Sequence, residues 1–146
     1  MNVKFVINKC IDALDVEYTK DELLNCFNLV ENQMAMDYFP LYKTHQCDSK
    51  TVYYSEFEYN PIRIISCNCK FKVHEEYIES KDIINEIIYS YAPNKKDFSD
   101  ECTYNIEFLD CYVYGIISEF LLRHMFYDEA SYWNEKYKKE IKLLSI

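Results

Sequence analysis

The chain has a single glycine among its 146 residues. Loops that cradle phosphates need backbone that approaches the ligand closely or takes positive φ, and glycine supplies both. Gly115 stands alone inside a helical pattern, so neither a P-loop nor a dinucleotide fingerprint is available. No apolar run approaches the ~20 residues that a membrane-crossing helix needs. Met1 to Asn8 is broken by polar residues too soon for a secretory signal, so we expect a soluble protein that stays where it is made. Basic residues are in deficit: 16 Lys and Arg face 25 Asp and Glu, a formal charge of −9. Duplex binding depends on neutralising phosphates, and a DNA-binding footprint is therefore not expected. The seven cysteines are odd in number and lack a framework spacing. We read all of them as reduced and the compartment as cytoplasmic.

What is present suits a packed domain. Apolar residues form 49% of the chain, which excludes disorder. The length allows one domain, 1–146, with a substantial core. Asn2 is placed to cap a first helix with Val3, Ile7, Cys10 and Leu14 on one face and Val6 and Ile11 alongside. Thr19-Lys20-Asp21-Glu22 matches a capping box, and the helix after it carries Leu23, Phe27, Val30, Met34 and Tyr38 on one face before Pro40 stops it. Near the end of the chain the same periodicity returns twice. Ile106, Leu109, Val113, Ile116 and Phe120 form one series; Ala130, Trp133, Tyr137 and Ile141 form the other. The break between them, Arg123 to Asp128, is so short that the two helices must fold back as an antiparallel pair. Ser99 or Thr103 is expected to cap the first of this pair.

From about Lys50 to Ala92 the period changes to that of strands. Thr51 to Phe57, Ile62 to Cys67, Lys70 to His74 and Ile84 to Tyr91 each read as one, with Asn68-Cys69 and Glu76 to Asp82 as turns. Asn94 to Cys102 is polar and reads as a loop. The expected fold is α+β: a four-helix core from two N-terminal helices (1–40) and a C-terminal helical hairpin (103–144), with an inserted antiparallel sheet of about four strands (50–93).

No constellation reads as an active site, and no cofactor or metal is expected. Cys67-x-Cys69 with His74, and His45 with Cys47, lack the paired knuckles of a structural zinc site. Glu75-Glu76, Asp100-Glu101 and Asp128-Glu129 lie at turns or helix starts, where carboxylates complement the helix dipole. His124 ends a helix and suits a capping role there. Gly115 marks either tight helix packing or the approach of another subunit's backbone. In the densest aromatic cluster, Tyr53, Tyr54, Phe57 and Tyr59, strand alternation would put Tyr53 and Phe57 on one face and Tyr54 on the other. One set is expected to be core, and the cluster is our candidate for a contact between subunits.

Three stretches carry a resemblance. They are the helix running into Asp37-Tyr38-Phe39-Pro40-Leu41; the insert with Val52-Tyr53-Tyr54-Ser55-Glu56-Phe57, Pro61-Ile62-Arg63-Ile64 and Ile88-Tyr89-Ser90-Tyr91-Ala92-Pro93; and Tyr112 to Leu122 followed by Tyr127-Asp128-Glu129-Ala130-Ser131-Tyr132-Trp133 and Tyr137. Together they resemble the head–tail connector (adaptor or neck) proteins of tailed bacteriophages. That resemblance implies a virion structural protein with no enzymatic activity, made in the host cytoplasm and placed in the neck. It implies a homo-oligomeric ring of about twelve copies beneath the portal protein, extending the DNA channel toward the next neck or tail protein. The C-terminal segment of such proteins often reaches onto the portal, and the matching positions here are Lys142, Leu143, Leu144 and Ile146. DNA would pass without sequence-specific binding, since a ring of about twelve acidic copies presents a repelling lumen. Two other classes stay open: an acidic binding protein that imitates DNA or blocks a host factor, and a small thiol or metal enzyme.

Overall fold

The computed structural model describes all residues, Met1–Ile146. The chain is α+β, with four helices, two toward each end, and a four-stranded antiparallel sheet. It forms two compact units: Met1–Met34 together with Lys95–Ile146, and Ala35–Asn94.

In the first unit, helices α1 (Val3–Ala13), α2 (Lys20–Gln33), α3 (Leu109–Arg123) and α4 (Tyr127–Leu144) share one core. α1 contributes Val3, Val6, Ile7 and Cys10; α2 contributes Leu23, Cys26, Phe27 and Val30. The starts of α1 and α2 are each capped by a side chain. The Asn2 side chain accepts from the Phe5 amide at 2.9 Å, and Thr19 Oγ1 accepts from the Glu22 amide at 3.1 Å. The capping box is only half formed, because the Glu22 carboxylate meets His124 Nε2 at 2.8 Å instead of turning back to Thr19. The amides of Val3 and Lys4, which have no partner within α1, donate to the Asp100 and Phe98 carbonyls at 3.0 and 3.1 Å. The polar segment 94–102 is therefore a loop with a structural task.

α3 starts later than the sequence suggests. Asn105, not Ser99 or Thr103, caps a short 3₁₀ turn, Ile106–Phe108, that leads into the helix. Ile106 is consequently 59% exposed and leaves the apolar series. The buried face of α3 is Cys111, Tyr112, Val113, Gly115, Ile116, Ile117, Phe120 and Leu121.

The turn from α3 to α4 explains how the hairpin closes without glycine. The Phe126 amide donates to the Leu121 carbonyl at 2.9 Å and the Met125 amide to the Leu122 carbonyl at 3.1 Å, the two bonds of a Schellman stop. Its geometry requires a left-handed residue, and Met125 takes φ 64°. A side chain in that region costs about 1 kcal/mol that glycine avoids. Met125→Gly is expected to raise the unfolding free energy by about 0.5–1 kcal/mol, measured by urea denaturation; a loss of stability would contradict the assignment.

The second unit is the sheet. Strand β1 spans Leu41–Tyr53, β2 Pro61–Cys67, β3 Lys72–Val73 and β4 Tyr77–Tyr91, in the order β1-β4-β2 with β3 also on β4. Three sequence expectations need correction. β1 begins at Leu41 rather than about Lys50, because Leu41 to Gln46 pairs with Tyr91 to Glu86 of β4. Residues 77–82 are not a turn but the first half of β4, held by β3 on one side (Lys72↔Glu79, Val73↔Ile78) and the end of β1 on the other. The strand expected over Thr51 to Phe57 stops at Tyr53, and Tyr54–Glu56 forms a 3₁₀ turn with the Glu56 carboxylate accepting the Tyr53 amide at 2.8 Å. That turn breaks the alternation on which the placement of Tyr53, Ser55 and Phe57 on one face depended. Residues 54–60 then carry the chain from β1, at one side of β4, to β2 at the other. Phe57 and Tyr59 pack on Tyr89 and Tyr91 along this path, with Val52, Ile78, Ile84 and Ile87 completing the core.

Candidate interaction surfaces

The most elaborate polar site is buried in the helical unit. Glu31 of α2 is 1% exposed and accepts three hydrogen bonds: from Lys96 Nζ at 3.0 Å, the Thr103 amide at 3.0 Å and the Tyr112 hydroxyl at 2.6 Å. One turn earlier Asn28 grips the Lys96 backbone, its Oδ1 accepting the amide at 2.7 Å and its Nδ2 donating to the carbonyl at 3.0 Å. The i, i+3 spacing of Asn28 and Glu31 puts both on the face that meets the 95–104 loop. Burial, together with the Glu31 carboxylate, pushes the Tyr112 phenol far above its ordinary value. All donors and acceptors at this site are matched, and no reacting atom is left exposed in it, so its physical role is to fix the loop to α2 and α3.

The thiols behave as small hydrophobes. Burial pushes Cys26 up to about 11 and Cys102 and Cys111 up to about 12, with Glu31 adding to the shift at Cys102 and Glu140 at Cys111; Cys10 is raised as well. Cys67 Sγ and Cys69 Sγ lie 4.0 Å apart, while His74 Nε2 is engaged with Glu79 Oε1 at 2.7 Å, so Cys67, Cys69 and His74 do not converge. No group of three or more His, Cys, Asp or Glu side chains is arranged to hold a metal ion. A thiol whose folded pKa is raised stabilises the fold fully below its unfolded value of 9.0 and loses that contribution as pH climbs through the folded value. Stability is thus expected to fall between about pH 9 and pH 12, and to fall less steeply when Cys26, Cys102 and Cys111 are replaced by alanine. Denaturant midpoints across that range check it; equal slopes would contradict it.

The candidate contact residues divide sharply. Phe57 is buried, stacked on Tyr89 at 4.5 Å, and so is unavailable to a neighbour. Tyr54 is half-buried and donates its hydroxyl to the His74 carbonyl at 2.7 Å. Tyr59 is half-buried and stacks on Tyr91 at 4.2 Å. Tyr53, 49% exposed, keeps most of its ring at the surface beside Tyr77. The aromatic cluster is mainly the insert's own core, because the crossing segment has no other residues to cover β4. At the C-terminus, Lys142 is exposed, Leu143 is 64% exposed and Ile146 fully so, while Leu144 is half-buried.

Gly115 lies where three helices meet. A Cβ there would stand 2.9 Å from Tyr137 Cε1 of α4 and 2.9 Å from Val30 Cγ1 of α2, so tight packing inside the unit accounts for it. Beside it runs an open groove of about 260 Å³ between α2 and α4, with Gly115, Ser118 and Ala130 among its lining residues. Leu29, Leu122 and Tyr127 line it too and are 45%, 49% and 61% exposed; Met125 and Phe126 extend the apolar surface over the hairpin turn.

Sequence periodicity missed one further patch. Lys136 Nζ sits over three rings, 4.6 Å from Trp133, 4.9 Å from Tyr114 and 5.3 Å from Tyr132. The i, i+3 and i, i+4 spacing of Trp133 and Tyr132 to Lys136 along α4 was the signal for it. Comparison with protein-family models and with curated proteins finds no match to this chain.

Proposed function

We propose that this protein is a structural subunit of a tailed-phage neck, a connector that forms a ring beneath the portal, continues the DNA channel and joins it to the tail. The observation that carries this is the α3–α4 hairpin. Its inner face is closed by Gly115 against Tyr137 and Val30, and its turn holds Leu122, Met125, Phe126 and Tyr127 exposed. Exposed apolar residues gathered at one place favour contact with another protein. The same hairpin holds the Tyr112 to Tyr137 pattern through which the sequence resembles connector proteins. The exposed C-terminal residues Lys142, Leu143 and Ile146 suit docking on the portal, and Leu144 supports them from the helix. The charge of −9 suits a channel wall past which DNA slides.

Mixing the purified protein with an assembled portal from the same genome tests this. Native mass spectrometry is expected to show a portal complex carrying about as many copies of this chain as of the portal, in keeping with a closed cyclic interface. Removal of residues 143–146 is expected to abolish it. A second reading, an acidic protein that binds a basic host factor, is favoured by the exposed run Asp12, Asp15, Glu17 and Asp21. It would be preferred if the chain ignored the portal and captured a basic partner in a defined ratio.

A further inference from the structure

We infer that neighbouring copies meet head to tail, with Lys136 and its surrounding rings on one copy receiving the acidic α1–α2 connection of the next. This rests on the ring reading and names the surfaces that would make it.

Three observations carry the inference. First, Lys136 is a cation held on Trp133, Tyr114 and Tyr132, yet none of the chain's ion pairs includes it. The rings fix its direction in advance, so pairing with an incoming carboxylate loses less side-chain freedom than pairing with a loose lysine. Trp and Tyr beside a cation are also the composition of energetic centres at interfaces. Lys138, Lys139 and Lys142 follow on the same helix and are exposed, which makes the end of α4 locally basic in an acidic protein.

Second, the complementary charge sits elsewhere on the same unit. Asp12, Asp15, Glu17 and Asp21 are exposed and take part in no ion pair, with Lys9 and Lys20 as the nearby bases in sequence. Tyr18, 40% exposed among them, offers a ring to stack against Tyr132, itself 59% exposed.

Third, the two patches are on different elements. α4 packs chiefly on α3, while α1 and α2 pack on α3 and on each other. Two patches on separate elements allow a heterologous contact, the type that a cyclic ring beyond a dimer requires. Charge complementarity of this kind sets orientation and disfavours pairing of like patches.

The test is zero-length carbodiimide cross-linking of an equal mixture of ¹⁴N- and ¹⁵N-labelled protein, at high concentration and on the portal, read by mass spectrometry. Mixed-isotope peptides joining Lys136 to Asp12, Asp15, Glu17 or Asp21 are expected. The yield should fall about tenfold in Asp15→Lys/Glu17→Lys and again as salt is raised. Asp15 and Glu17 are exposed and Lys136 is half-buried, and circular dichroism should confirm unchanged folding of each variant. Mixing Lys136→Glu with Asp15→Lys/Glu17→Lys reverses both charges at every second interface and is expected to restore the assembly that each variant alone loses. Lys136 cross-links confined to single-isotope peptides would overturn the inference. Rings formed on the portal by Lys136→Glu would overturn it too while leaving the connector reading intact; mixed-isotope cross-links in a protein that ignores the portal would do the reverse.

Discussion

Replacing Glu31 with alanine is expected to lower the unfolding free energy by about 3–5 kcal/mol, the usual consequence of removing one member of a buried ion pair. The carboxylate accepts from Lys96 Nζ, the Thr103 amide and the Tyr112 hydroxyl, and it is 1% exposed. Its loss leaves the Thr103 amide and the Tyr112 hydroxyl proton without their acceptor and takes the counter-charge from Lys96 Nζ, which keeps Thr103 Oγ1 at 3.0 Å. Each unsatisfied neutral group costs about 1–3 kcal/mol, and the charge more. Lys96 has limited freedom to escape to water, since Asn28 holds its backbone at both the amide and the carbonyl. Glu31→Gln is expected to be milder but still harmful, because its amide donor must face another donor on one side. The double change Glu31→Leu/Lys96→Met should recover much of the loss, as apolar replacement of a buried pair often does. Urea denaturation of the four proteins checks the series. A Glu31→Ala cost below about 1 kcal/mol would mean the network is not closed in solution.

The second large effect is expected at Gly115. An added Cβ meets Tyr137 and Val30 at 2.9 Å, closer than carbon atoms pack without a shift. Neither neighbour yields easily: the Tyr137 ring is 4% exposed with its hydroxyl on Gln33 at 3.3 Å, and Val30 is 2% exposed. Overpacking a core costs about 1–3 kcal/mol, while alanine in mid-helix regains about 1 kcal/mol over glycine. Gly115→Ala should therefore lose about 1 kcal/mol net. Gly115→Val, with two further carbons and a β-branch, should lose more than about 3 kcal/mol. Pairing Gly115→Ala with Val30→Ala removes one of the clashes, so the two changes should be clearly non-additive. Additive costs would place Val30 and Gly115 out of contact.

The helices were legible because their signals are local. Asn2 and Thr19 cap where the sequence places them, and Leu23, Phe27, Val30 and Met34 are buried as their spacing implies. Tyr38 is not, because the α-helix ends at Gln33 and the π-helical turn Met34–Tyr38 that follows leaves it 39% exposed. The sheet was only partly legible. The first half of β1, Leu41 to Ser49, is mixed and polar, and pairing with β4 rather than propensity makes it a strand. Residues 77–82 read as a turn because Glu79, Lys81 and Asp82 are charged, yet an antiparallel strand with one wet face tolerates them. Met125 gave no sign of a left-handed turn, since the usual glycine is missing. The contact residues were least legible. Burial is a tertiary property: it encloses Phe57, leaves Tyr54 and Tyr59 half-buried against the insert's core, and brings Tyr114 and Lys136 together from two helices.

Cryo-electron microscopy of virus particles from the source of this chain bears most directly on the proposed place in a phage neck. Density for about twelve copies of the helical unit, ringed between portal and tail around a central channel, is the expected result, in keeping with closed cyclic assembly. Particles with complete necks that contain no copy of this chain would contradict it.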